Sequence, residues 1–141
     1  MDGAPRPSAL VVDDEPDIRE WLRVALDLAG WDVADVADGT AALRRISGEG
    51  PNLVVIDYRM PGLDGQACIA ELRKRGVRSN IVLFSAFFGR EAIQLPTEWN
   101  VIPIAKDDGP TLLRICKLLH DTTVAGGSAR PHPLTGSPAG P

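Results

Sequence analysis

With 141 residues, 44% of them hydrophobic and 24% charged, the chain has the size and composition of one ordinary globular unit with its own core. A formal net charge of −4 gives no basic footprint, so direct contact with nucleic acid is not expected. No apolar run approaches bilayer-spanning length, no secretory signal opens the chain, and the two cysteines, Cys68 and Cys116, suggest no disulfide framework; a reduced, cytoplasmic protein is expected.

SALVV (8–12) is a short apolar run ending in Asp13-Asp14 and reads as a buried strand. Pro16 stands where a first helical turn tolerates it. Ile18, Leu22, Ala25 and Ala29 follow at helical spacing until Gly30 stops the pattern. WDVADV (31–36) alternates as a half-buried strand does, and DGTAALRRI (38–46) is a helix opened by an Asp cap. LVVI (53–56) predicts a third strand, GQACIAELRKRG (65–76) a helix with a basic last turn, and IVLF (81–84) a fourth strand. REAIQL (90–95) predicts a short helix cut at Pro96. VIPIA (101–105) predicts a fifth strand, and TLLRICKLLH (111–120) an amphipathic helix opened by Pro110.

Strands alternating with helices mean an α/β fold with a parallel sheet covered on both faces. Pro103 belongs on an edge strand, since a central strand needs the donor that proline lacks. The doubly wound, five-stranded, flavodoxin-like order 2-1-3-4-5 puts it there. The folded unit is expected over 8–121, with a disordered 1–7. Residues 122–141 are expected to form a disordered tail or linker, because 124–141 are rich in Gly, Pro and Ser and hold no acidic residue.

In such sheets chemistry gathers at the carboxyl ends of the strands. There the first strand ends in Asp13-Asp14-Glu15, the third in Asp57, the fourth in Ser85 and the fifth in Lys106. Two unit charges ~4 Å apart interact by about 4 kcal/mol at an effective dielectric of roughly 20, so clustered carboxylates call for a cation. An oxygen-lined site with few carboxylates suits Mg²⁺. An aspartate beside Mg²⁺, an ammonium and a hydroxyl is equipped for phosphoryl transfer, with Asp57 as nucleophile. Glu15 reads as the cap before Pro16, and Asp64-Gly65 as a cap for the next helix. Trp21, Trp31 and Trp99 read as packing residues, and neither His120 nor His132 suggests a ligand.

LVVDDEPDIREWLRVALDLAGWDV, ADGTAALRRI, NLVVIDYRMPGLDG, LFSA and the Ala105-Lys106 pair, in this order and spacing, resemble the receiver domain of two-component response regulators over about residues 8–120. The resemblance implies a CheY-like switch whose Asp57 takes a phosphoryl group from a sensor histidine kinase or phosphotransfer protein. It implies Mg²⁺ held by Asp14, Asp57 and the backbone carbonyl of Arg59, with Asp13 acting mostly through water. Ser85 and Lys106 are implied to contact the phosphoryl group. An output domain or target protein would read the face made by the fourth helix, fifth strand and fifth helix. Such a protein is not an enzyme in the ordinary sense, since it catalyses only its own phosphorylation and dephosphorylation.

Three positions depart from the family pattern. Asp107 follows Lys106 where a cis proline is usual, and a non-proline cis bond costs ~2.5–4 kcal/mol, so another loop shape is expected. Pro103 stands where an aromatic usually swings inward, leaving Phe87 and Phe88 as candidates for the moving group and Arg59 as a candidate for tuning phosphate lifetime. Pro96 interrupts the region of the fourth helix. These departures give the alternative reading, a phosphorylation-independent pseudo-receiver acting as a protein-interaction scaffold. A haloacid-dehalogenase-type phosphatase would want a second aspartate where Arg59 stands, and no GxxxxGK[ST] or GxGxxG loop supports nucleotide binding.

Overall fold

The computed structural model of the protein describes residues 5–86 and 94–134. In chain order they form β1 (Ser8–Val12), α1 (Pro16–Leu28), β2 (Asp32–Val36), α2 (Gly39–Arg45), β3 (Leu53–Ile56), α3 (Gly65–Lys74) and β4 (Asn80–Ser85). A single 3₁₀ turn (Thr97–Trp99), β5 (Val101–Ala105) and α4 (Gly109–Ala125) follow. The helix expected over 90–95 falls mostly outside the described residues, as do Phe87 and Phe88; Gln94 and Leu95 are not helical. Among the described residues, no helix is long and apolar enough to cross a membrane.

All neighbouring strands pair in parallel, in the order β2-β1-β3-β4-β5. Pro103 lies on the edge strand β5, opposite Leu83 and exposed, as its missing donor requires. Alternation along the strands divides the core in two. Leu10, Val12, Val54 and Ile56 pack with Cys68, Ile69 and Leu72 of α3 on one face. Ala9, Val11, Leu53 and Val55 pack with Leu22 and Leu26 of α1 and Leu112 and Cys116 of α4 on the other. Burial pushes both cysteine thiols up to about 12, which leaves them packing groups. Trp21 stacks on Phe84, ring centroids 6.4 Å apart.

Three helices start on aspartate caps: Asp38, Asp64 and Asp108 accept backbone N–H bonds from Ala41, Ala67 and Thr111 at 2.7, 2.8 and 3.2 Å. Of the expected disordered ends, residues 1–4 and 135–141 lie outside the described residues; over 5–7 and 122–134 the expectation is corrected. Pro7 accepts a hydrogen bond from the Asp32 N–H at 2.8 Å, and Arg6 pairs with Asp27. At the other end α4 runs to Ala125, and residues 126–134 then cross the amino-terminal edge of the sheet. There the buried Asn52 amide donates to the Ser128 carbonyl at 2.9 Å and accepts the Arg130 N–H at 2.8 Å. The Arg130 guanidinium donates to the Gly50 and Pro51 carbonyls, the Ser47 N–H to Pro133, and His132 to the Asp32 carbonyl. The segment supplies little apolar surface. It is ordered by backbone groups at the strand starts that need partners.

Candidate functional site

The sheet ladder itself sets the positions of the acidic groups. Val12 of β1 lies opposite Ile56 of β3, so Asp13 and Asp57 come next, side by side, at the carboxyl edge. The Asp57 N–H donates to the Val12 carbonyl at 2.9 Å and the Asp13 N–H to Val36 at 3.3 Å, carrying the pairing one residue past each strand. On the other side Ser85 lies opposite Ala105, and the Lys106 N–H donates to the Ser85 carbonyl at 2.9 Å. Ser85 is fully buried at this end of β4.

Lys106 Nζ stands 3.0 Å from Asp13 Oδ2, 3.3 Å from Asp57 Oδ2 and 2.7 Å from Glu15 Oε2. Asp13 and Asp57 are buried, at 1% and 5% exposure, while Asp14 faces solvent. Burial raises the Asp57 pKa to about 6, helped by the Asp13 and Asp14 charges and opposed by Lys106. Burial also raises Asp13, against the Glu15 N–H and the Lys106 ammonium. Burial alone would lower Lys106; hydrogen bonds to Glu15 and Asp13 and the charges of Asp57 and Asp13 outweigh it and hold the ammonium well above its ordinary range.

Asp13, Asp14 and Asp57 each offer a carboxylate oxygen, and these atoms lie within 4.8 Å of one another. Lys106 answers only Asp13, Asp57 and Glu15, so with Asp14 the site holds an excess of hard, negative oxygen donors over ammonium charge among the described residues, which fits a divalent cation such as Mg²⁺. A cleft of about 560 Å³ opens between Asp14 and the loop carrying Tyr58, Arg59, Met60 and Pro61, on the Asp14 side of the acidic cluster. The exposed Arg59 lines this cleft.

The loop after Lys106 takes the other shape expected of it. The Lys106-Asp107 peptide is trans, and the Asp108 N–H closes a tight turn onto the Ala105 carbonyl at 2.9 Å. Asp107 therefore fills the usual proline position while Asp108 caps α4.

Two residues have roles that the sequence did not suggest. Glu15 sits at the N-cap of α1 but makes no side-chain cap bond, and its carboxylate goes to Lys106 instead. Gly65 opens α3 directly under Asp57: a Cβ there would lie 2.3 Å from the Asp57 carbonyl oxygen, and its N–H donates to Tyr58 at 2.7 Å. The Asp-Gly pair gave a cap signal that concealed this close approach.

Residues 9–95 match the family model of the response regulator receiver domain. The chain belongs to this family. Magnesium and an aspartyl phosphate are features of the family. The chain is 51% identical over 65 residues to the probable transcriptional regulator ycf27 of Porphyridium aerugineum, covering 46% of this chain and 27% of that protein. It is 38% identical over 77 residues to the alkaline phosphatase synthesis transcriptional regulatory protein PhoP of Bacillus subtilis, covering 55% and 32%. The chain thus spans about a third or less of the length of the curated relatives it matches. Among solved structures, a Francisella response regulator receiver domain superposes with a TM-score of 0.73 at 26% identity, covering 83% of this chain and 98% of that one. The response regulator TrrA of Thermotoga maritima, solved in complex with Mg²⁺-BeF, superposes with a TM-score of 0.64 at 28% identity over 79% and 98%.

Proposed function

We propose that this receiver is a phosphorylation switch: Asp57 accepts a phosphoryl group from a phosphohistidine on a sensor histidine kinase or phosphotransfer protein of a cytoplasmic two-component pathway. The observation that carries the reading is the convergence of Asp13, Asp14 and Asp57 oxygens within 4.8 Å beside the Lys106 ammonium. Asp13, Asp14 and Asp57, with the Arg59 backbone carbonyl, would hold Mg²⁺. When bound, the ion supplies charge neutralisation for the reacting oxygens.

A carboxylate oxygen of Asp57 attacks phosphorus and forms an O–P bond. The P–N bond breaks, and the imidazole nitrogen leaves with the electron pair and takes up a proton. Lys106 and Ser85 each receive a phosphoryl oxygen as charge spreads over the equatorial positions. Hydrolysis of the acyl phosphate resets the switch, so the chain catalyses only its own modification and its reversal. The added dianion at the sheet edge acts on Ser85 and on the loop after β5, and a target protein or output domain reads the change on the neighbouring face.

Incubation of the chain with Mg²⁺ and phosphoramidate, followed by intact mass, tests the reading. The expected gain is one phosphoryl group in the wild type and none in Asp57→Asn. An unmodified mass at saturating donor, in a folded protein, overturns the switch and favours the scaffold alternative.

A further inference from the structure

Phosphoryl transfer needs Lys106 to offer a donor to a phosphoryl oxygen, yet its three N–H groups already face three carboxylates. The shortest of these contacts is to Glu15, at 2.7 Å, against 3.0 Å to Asp13 and 3.3 Å to Asp57. The three partners are not equally free to let go. Asp13 is buried, and its other carboxylate oxygen is fixed by the Glu15 N–H at 2.9 Å. Asp57 is the reacting group itself. The Glu15 side chain is 58% exposed and has no cap bond to hold it, so water can take its place at small cost.

We propose that Glu15 is a positioning residue that restrains Lys106 in the resting site and competes with the incoming phosphoryl oxygen for it, thereby slowing phosphorylation of Asp57. The inference rests on the phosphoryl-acceptor reading and deepens it. Two effects act in the same direction. Lys106 is occupied until Glu15 is displaced, and the displaced carboxylate stays close to an incoming group of like charge. Phosphorylation replaces the Asp57 carboxylate with a dianionic acyl phosphate but leaves Glu15 in place, so the same residue goes on competing with the product for Lys106.

Three forms of the full chain test this: the wild type, Glu15→Gln, and Asp17→Asn as a control. Asp17 is an exposed acid in the first turn of the same helix, outside the Lys106 cluster. The readouts are the initial rate of mass gain with Mg²⁺ and phosphoramidate, the affinity for beryllofluoride with Mg²⁺, and the urea midpoint. Loss of one exposed pairing predicts a rate and a beryllofluoride affinity roughly two- to fivefold higher in Glu15→Gln. Asp17→Asn should match the wild type in both, and the urea midpoints of both variants should lie within the small shift that one exposed charge is worth, because Glu15 makes no cap bond. A Glu15→Gln rate at or below the wild type overturns the proposal. So does equal acceleration in Asp17→Asn, which would assign the effect to summed surface charge. If the wild type gains mass and only the Glu15 effect is missing, the inference alone fails; if the wild type gains no mass, the phosphoryl-acceptor reading fails with it.

Discussion

The two edges of one sheet solve opposite problems. At the amino-terminal edge, Asn52, Arg130, Ser128 and Pro133 pair backbone groups where the strands begin. At the carboxyl-terminal edge, Asp13, Glu15 and Asp57 crowd around Lys106 with Asp14 beside them, and burial raises the pKa of Asp13 and takes that of Asp57 to about 6. One edge holds the fold together. The other stores repulsion that a ligand can relieve, as sites selected for function rather than stability do.

The largest effect is expected at the stabilising edge. Asn52→Ala orphans the buried Ser8 N–H together with the Arg130 N–H and the Ser128 carbonyl, which should cost about 4 kcal/mol by urea denaturation. The opposite edge predicts the opposite sign. Asp57 has a folded pKa of about 6, above its unfolded value near 3.8, so its contribution is most favourable below about pH 4 and is lost as pH rises through 6. Without Mg²⁺, Asp57→Asn should therefore be more stable than the wild type above pH 6, by up to ~3 kcal/mol, with the difference vanishing near pH 4. Equal stability of the two proteins at pH 8 would erase the contrast between the edges.

Smaller effects sharpen it. Arg130→Ala removes two guanidinium bonds to the Gly50 and Pro51 carbonyls and should cost about 1.5 kcal/mol, with no change in Mg²⁺ affinity by calorimetry. Mg²⁺ at ten times its Kd should add about 1.4 kcal/mol to the wild type and markedly less to Asp57→Asn at the same concentration.

The sequence announced the working edge far better than the tied one. Aspartates ending apolar runs, and a lysine after the fifth, converge because strand ends in a parallel sheet must converge, and Pro103 marked β5 as an edge. Glu15 was misread because capping is a local rule, whereas its partner lies 91 residues away and is reached only by folding. Residues 126–134 were misread for a related reason. Composition reports how much apolar surface a segment can bury, and this one is held by single polar bonds to Asn52, Gly50 and Ser47, which composition does not register. Gly65 read only as half of the Asp64-Gly65 cap, though its missing side chain is what lets α3 start against Asp57.

Pro103 carries a consequence for solubility. An open outer strand is a template on which other chains aggregate, and a proline in it offers one hydrogen fewer to an intruder. The residue that replaces the family's moving aromatic thus also guards the molecule's flank, and replacing it with tyrosine to restore that aromatic would expose a strand able to recruit its neighbours.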